Sequence, residues 1–209
     1  MPALAFIVAT RLFGARADDA LVRVLESGSI AFSTMLLTLE LRHALYGRLD
    51  APLSDLGRDA TQTLLWLALA VPLLWLGERH RRSVLSWGGI ILFGLATAQA
   101  VIWQAVLGNP LLTGDPVGRL VVLDVLTLAF GLPALLYAVI AWSRLGPIEL
   151  QWVARIAAGG FALLWLTLEI RHLFRGPILT LGECGEAEWY AYSAGWLAFA
   201  GAGLAAGLI

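Results

Sequence analysis

QWVARIAAGGFALLWLTLEIRHLFRG, running from Gln151 to Gly176, decides the fold class. No charged residue stands between Arg155 and Glu169. A helix crossing the hydrocarbon of a bilayer needs about 20 mainly apolar residues. The stretch therefore reads as a transmembrane helix, roughly Trp152 to Phe174, with polar residues crowded at one end. The whole chain has the same character. It has 209 residues, 59% hydrophobic and only 14% charged, with a mean hydropathy of +0.80. Soluble domains carry roughly 25% charged residues, so this chain has too few to cover a water-facing surface. Its net charge of −1 argues against nucleic acid as a partner.

Working outward from that helix, five more spans follow the same pattern: Val24 to Tyr46, Thr61 to Leu76, Val84 to Leu107, Leu120 to Trp142 and Trp189 to Ile209. The segments between them are GRLDAPLSD, GERHRRS, GNPLLTGDPVG, SRLGPIE and RGPILTLGECGEAE. Each holds Gly, Pro or clustered charge, which ends helices. Pro72 and Pro133 fall inside spans and predict kinks. Pro2 to Phe13 reads as the tail of a further membrane helix, because Arg11 interrupts the apolar core that a cleaved signal peptide before Ala15-Arg16-Ala17 would need. The expectation is an all-α polytopic transmembrane bundle of about six spans plus this partial N-terminal helix. It forms a single module over 1–209, a piece of a larger protein.

Short basic loops stay in the cytoplasm. Loop 77–83, with Arg79, Arg81 and Arg82, is placed there, which puts loops 47–59 and 176–188 on the periplasmic side. Cys184 lies in the latter. Trp75, Trp87, Trp142 and Trp152 then form an inner aromatic belt, and Trp189, Tyr190 and Tyr192 an outer one. All 14 basic residues are Arg, a bias that points to a GC-rich bacterial genome. The localisation expected is a bacterial inner membrane, with membrane lipids and further transmembrane segments as partners and no cofactor.

TLEIRHLFRG at Thr167 has a twin, TLELRHALYG at Thr38, 129 residues earlier. Phe161 repeats Phe32, and YSAGWLAFA from Tyr192 resembles QTLLWLALA from Gln62. Two halves, about 24–77 and 152–209, therefore flank a helical hairpin at about 84–143. Four spans separate equivalent points, so the halves run parallel, as in some transporters.

TLExRH with its following Gly, together with NPLL at Asn109 and AFGLPALL at Ala129, resembles the C-terminal part of a bacterial family of predicted membrane proteins with domain of unknown function 2339. The resemblance covers nearly the whole chain. It implies an integral membrane protein of bacteria and supplies no activity and no catalytic residues.

On a helix, Glu40 and His43 share one face, as do Glu169 and His172, while Arg42 and Arg171 point elsewhere. Charged side chains at membrane depth are costly unless paired. Three readings follow. Glu40, Arg42, His43, Glu169, Arg171, His172 and Asp124 form a polar clamp between helices; or they line a site that binds an anionic headgroup or relays protons; or Glu40, His43, Glu169 and His172 supply the Glu-x-x-His elements of a metal site that lacks its remaining carboxylates. Asp124 is expected to pair with a nearby Arg such as Arg119, and Gln99 and Gln104 to hydrogen-bond between helices. No nucleophile motif, zinc spacing or nucleotide fingerprint is present. The functional expectation is ligand handling, transport or scaffolding in the envelope. The alternative is a membrane enzyme acting on a lipid or lipid-linked sugar at the outer face.

Overall fold

The structure, a computed structural model, describes residues 20–47, 56–180 and 182–207. The expected segment Pro2 to Phe13, the Ala15-Arg16-Ala17 site and most of loop 47–59 lie outside the described residues. What is described is all-helical: α1 (Ala20–Tyr46), α2 (Leu56–His80), α3 (Ser83–Gln99), α4 (Pro110–Thr113), α5 (Leu132–Trp142), α6 (Ile148–Arg175) and α7 (Glu186–Ala205). Two π-helical stretches join this series. Ala100–Leu107 prolongs α3, and Thr127–Gly131 leads into α5. Leu21–Leu45, Leu56–His80, Ser83–Thr113 and Ile148–Arg175 are long and apolar enough to cross a membrane, while Thr127–Trp142 is a shorter apolar helix. The protein is a multi-pass helical membrane bundle.

Lipid tails are as apolar as a protein core, so close fit rather than hydrophobic burial holds such helices together. Small residues provide it. Ala60, Ala70, Ala96, Ala129 and Ala154 are all buried at the contacts of α2, α3, α5 and α6. The α2–α3 turn is tight because a side chain at Gly77 would strike the Ser86 backbone at 2.6 Å. Arg81 completes that turn with φ of 52°. In the centre, Tyr137 stacks on Phe161 at 5.7 Å, meets Phe93 edge-on at 5.6 Å, and donates its hydroxyl to Thr97 at 3.0 Å. The expected interhelical role of the glutamines is present. Gln62 donates to Gln99 at 3.3 Å, and Gln104, buried, donates to the Asp59 carbonyl at 2.9 Å and also reaches Thr63. By contrast, α1 stands at the side of the bundle. Val24, Met35 and Leu36 are at least half exposed, as befits a lipid-facing helix.

One expected span is built differently. The span from Leu120 to Trp142 is not one helix, because residues 114–124 carry no helix and regular structure begins at Val125. Its first part is an irregular segment pinned by the Val117 amide to the Pro177 carbonyl at 2.9 Å and by the Val125 amide to the Val117 carbonyl at 3.2 Å. Non-helical backbone at membrane depth survives only where protein groups satisfy it, and the site below supplies those groups. Pro133, expected inside a span, lies within the continuous helical run from Val125 to Trp142, directly after its π-helical turn, a place where helices kink.

Candidate functional site

The site lies where α6 passes the broken strand of chain before α5. Asp124 caps that half-helix: its Oδ1 accepts the Thr127 amide at 3.0 Å. An Asp at this position satisfies one of the free amides of a first helical turn. Just before it, Val122 has φ of 71°, a left-handed conformation that a β-branched residue adopts only under constraint. The constraint is Glu169 of α6. Its Oε2 accepts the Val122 amide at 3.2 Å, and its Oε1 lies 3.3 Å from the Thr127 hydroxyl. That hydroxyl has one proton for two acceptors, Glu169 and the Val122 carbonyl, and itself accepts from the Trp165 indole at 3.0 Å. The π-helical turn starting at Thr127 carries this hydroxyl, in keeping with the habit of such turns to appear at functional sites.

His172, one turn after Glu169, completes the group. Its Nδ1 is 2.9 Å from Asp124 Oδ2 and 3.8 Å from Glu169 Oε2. The His172 and Asp124 side chains are 1% and 0% exposed, and neither atom has a hydrogen-bond partner among the described residues, so their 2.9 Å approach is a close contact of ionisable groups rather than a hydrogen bond. One donor atom each from Asp124, Glu169 and His172 falls within 4.8 Å of the others. Two carboxylates and an imidazole thus converge with their side chains buried.

The remaining residues of the second motif turn to α7. Arg171 donates to Glu188 Oε1 at 2.9 Å, to the Leu179 carbonyl at 2.9 Å and to Cys184 Sγ. Arg175 holds Glu188 Oε2 at 2.8 Å, and the Tyr192 hydroxyl donates to Oε1 at 3.0 Å. Glu188 lies in the first turn of α7, ahead of the apolar stretch that begins at Trp189. Burial would push its carboxyl up, yet the bonds from Arg175, Arg171 and Tyr192 win and bring it down to about 2. Thr167 accepts the Trp196 indole at 3.1 Å.

The first motif has a different setting. Thr38 accepts the Trp66 indole at 3.1 Å, matching Thr167 with Trp196. Arg42 is half-buried, and Glu40 and His43 are exposed. The Glu-x-x-His elements of the two motifs do not come together. Among the described residues, the metal-capable cluster is Glu169 and His172 with Asp124. Asp124, expected to pair with Arg119, faces His172 instead, because its position as a helix cap turns it toward α6.

Sequence alone did not single out Thr127 and Val122, and it left Glu188 as an acid at a span end. Nothing in a Leu120-Val121-Val122-Leu123 run marks a backbone break. Glu188 did have a signal: it stands 129 residues after Asp59, the offset of the repeat.

The family described as "Predicted membrane protein (DUF2339)" matches residues 2–209. The chain belongs to that family. No match appears among curated proteins or among solved structures. As a member of this family of membrane proteins the chain contacts membrane lipid.

Proposed function

We propose that this DUF2339 module handles a small cation at the Asp124–Glu169–His172 cluster, exchanging protons against a divalent ion as part of ligand handling or transport in the bacterial inner membrane. The observation that carries the reading is the pair of buried carboxylates beside a buried imidazole, at the head of a discontinuous helix. Two negative charges left together without water are too costly to persist, so protons or a cation must accompany them. Protons held within the cluster balance the charge, and so does a divalent ion that displaces them. Nitrogen and carboxylate donors suit manganese, iron or zinc. Three protein donors leave coordination positions open, the mark of a site through which ligands pass rather than a structural one. Broken helices at such sites are a recurring device of transporters.

The parallel repeat belongs to the same reading. The matched Thr38–Trp66 and Thr167–Trp196 bonds support it. So does a further stretch: Pro2-Ala3-Leu4, Phe6 and Val8 stand 131 residues before Pro133-Ala134-Leu135, Tyr137 and Val139. The arginines of loop 77–83 support an inner face there and put the cluster toward the outer side.

The test is calorimetric titration of the detergent-purified chain with Mn²⁺ and Zn²⁺ in two buffers of different ionisation enthalpy. Binding should release about two protons per ion, since ligands must give up their protons to the metal. Asp124→Asn and His172→Ala should each abolish it. Heats that are the same in these variants as in the unaltered protein would sink the cation reading and leave the cluster as a polar clamp, for which the bonds from Asp124 and Glu169 to backbone amides already speak.

A further inference from the structure

A concavity lies between α1 and α3, with Trp66 of α2 at its head. Its volume is about 630 Å³. Its walls are apolar, formed by Ile30, Met35, Trp87, Ile91 and Leu95. It runs along α1 from Ser27 to Leu39, a rise of about 18 Å at about 1.5 Å per residue. One leaflet is half of the roughly 30 Å hydrocarbon core, so the groove is about one acyl chain deep. It reaches Thr38, whose hydroxyl is occupied by the Trp66 indole and adds little polarity.

Arginines flank the mouth in sequence on both helices. Ser27 and Ser83 mark it, between Arg23 on α1 and the Arg81-Arg82 pair that opens α3. Arg82 is held by Glu26 at 2.8 Å. Arg23 and Arg81 are exposed, and neither is in an ion pair among the described residues. Nearby, Arg79 lies over the Trp75 ring at 5.3 Å, an arginine–tryptophan pairing typical of the headgroup level.

We infer that this groove is a binding site for an anionic phospholipid, with one acyl chain between α1 and α3 and the phosphate against Arg23 and Arg81. The depth of one leaflet fits a chain, and the cationic mouth selects the headgroup. A packed apolar helix would have no use for the arginines.

The experiment is native mass spectrometry of the full chain in a mild detergent, with dioleoylphosphatidylglycerol and dioleoylphosphatidylcholine as competing probes. The unaltered protein should retain the glycerol lipid in preference. Each arginine near a headgroup is worth about fivefold in affinity, so Arg23→Gln with Arg81→Gln should cut the preference by roughly 25-fold without disturbing the bundle. Ala31→Trp fills the groove and should remove retention of both lipids. If that variant fails to fold, the arginine pair still decides the matter, since both side chains are exposed. Equal retention of the two lipids by the unaltered protein would overturn the assignment. So would a preference unmoved by the arginine changes, or a dimer that Ala31→Trp splits, which would make a second copy the occupant.

Discussion

Glu169 and Glu40 are the same residue of the same motif, and their surroundings make them different groups. Glu169 holds an amide, a hydroxyl and the neighbourhood of His172 inside the bundle. Glu40 is exposed on α1. Glu169→Leu strands the Val122 amide, and a buried unpaired polar group costs about 1–3 kcal/mol. Glu169→Gln keeps an acceptor for it. The Leu variant should therefore melt earlier than the Gln variant in detergent. At Glu40 the same two changes should differ by less than about 0.5 kcal/mol, as exposed substitutions do. Equal gaps at the two positions would contradict this account. Glu188 gives a pH test. Its folded carboxyl is held down to about 2, so the stability it contributes is complete above the ordinary carboxyl range, near 4.3. That contribution is lost as pH falls through about 2. The difference in melting temperature between the protein and Glu188→Gln should be constant above about pH 5 and shrink as the pH drops from 4 toward 2.

Among the elements, the half-helix at α5 is the one whose form depends on a distant partner. Leu120 to Leu123 is as apolar as any helical stretch in the chain, and hydropathy alone runs it into the following helix. What breaks it is the cap at Asp124 and the pull of Glu169 on the Val122 amide, 47 residues away in sequence. The left-handed backbone at Val122 costs roughly 1–2 kcal/mol for a residue with a β-carbon. Val122→Gly should relieve it and raise the melting temperature, even after the greater entropy that glycine loses on folding. A fall in melting temperature would mean that the Val122 side chain contributes more than its backbone costs. If the conformation serves cation exchange, the relaxed variant should also bind Mn²⁺ with altered affinity while the Asp124 cap is untouched.

At the scale of the whole molecule, the two motifs divide the work of joining helices: Thr167 and Arg171 tie α6 to α7, while Glu169 and His172 tie it to the segment before α5. The topology expected from the basic loop, with both motifs toward one face, is tested through Cys184, which is exposed. A membrane-impermeant thiol reagent should label it in intact cells with a permeabilised outer membrane; labelling only after lysis of the inner membrane would invert the arrangement. The sequence by itself determined the class, because a chain with so few charges has no fold available in water. It determined the interhelical glutamines and the places where most helices stop, because Gly, Pro and charge act locally. The tertiary structure alone decided which acids matter. Hydropathy gives Glu40 and Glu169 equal weight, and only packing puts one at the side of the bundle and the other against an unwound segment. It also decided the partner of Asp124, since a helix cap is aimed by the turn it closes rather than by the nearest charge along the chain. A side chain's chemistry is written in the sequence, but its desolvation and its partners come from helices that meet across the bundle.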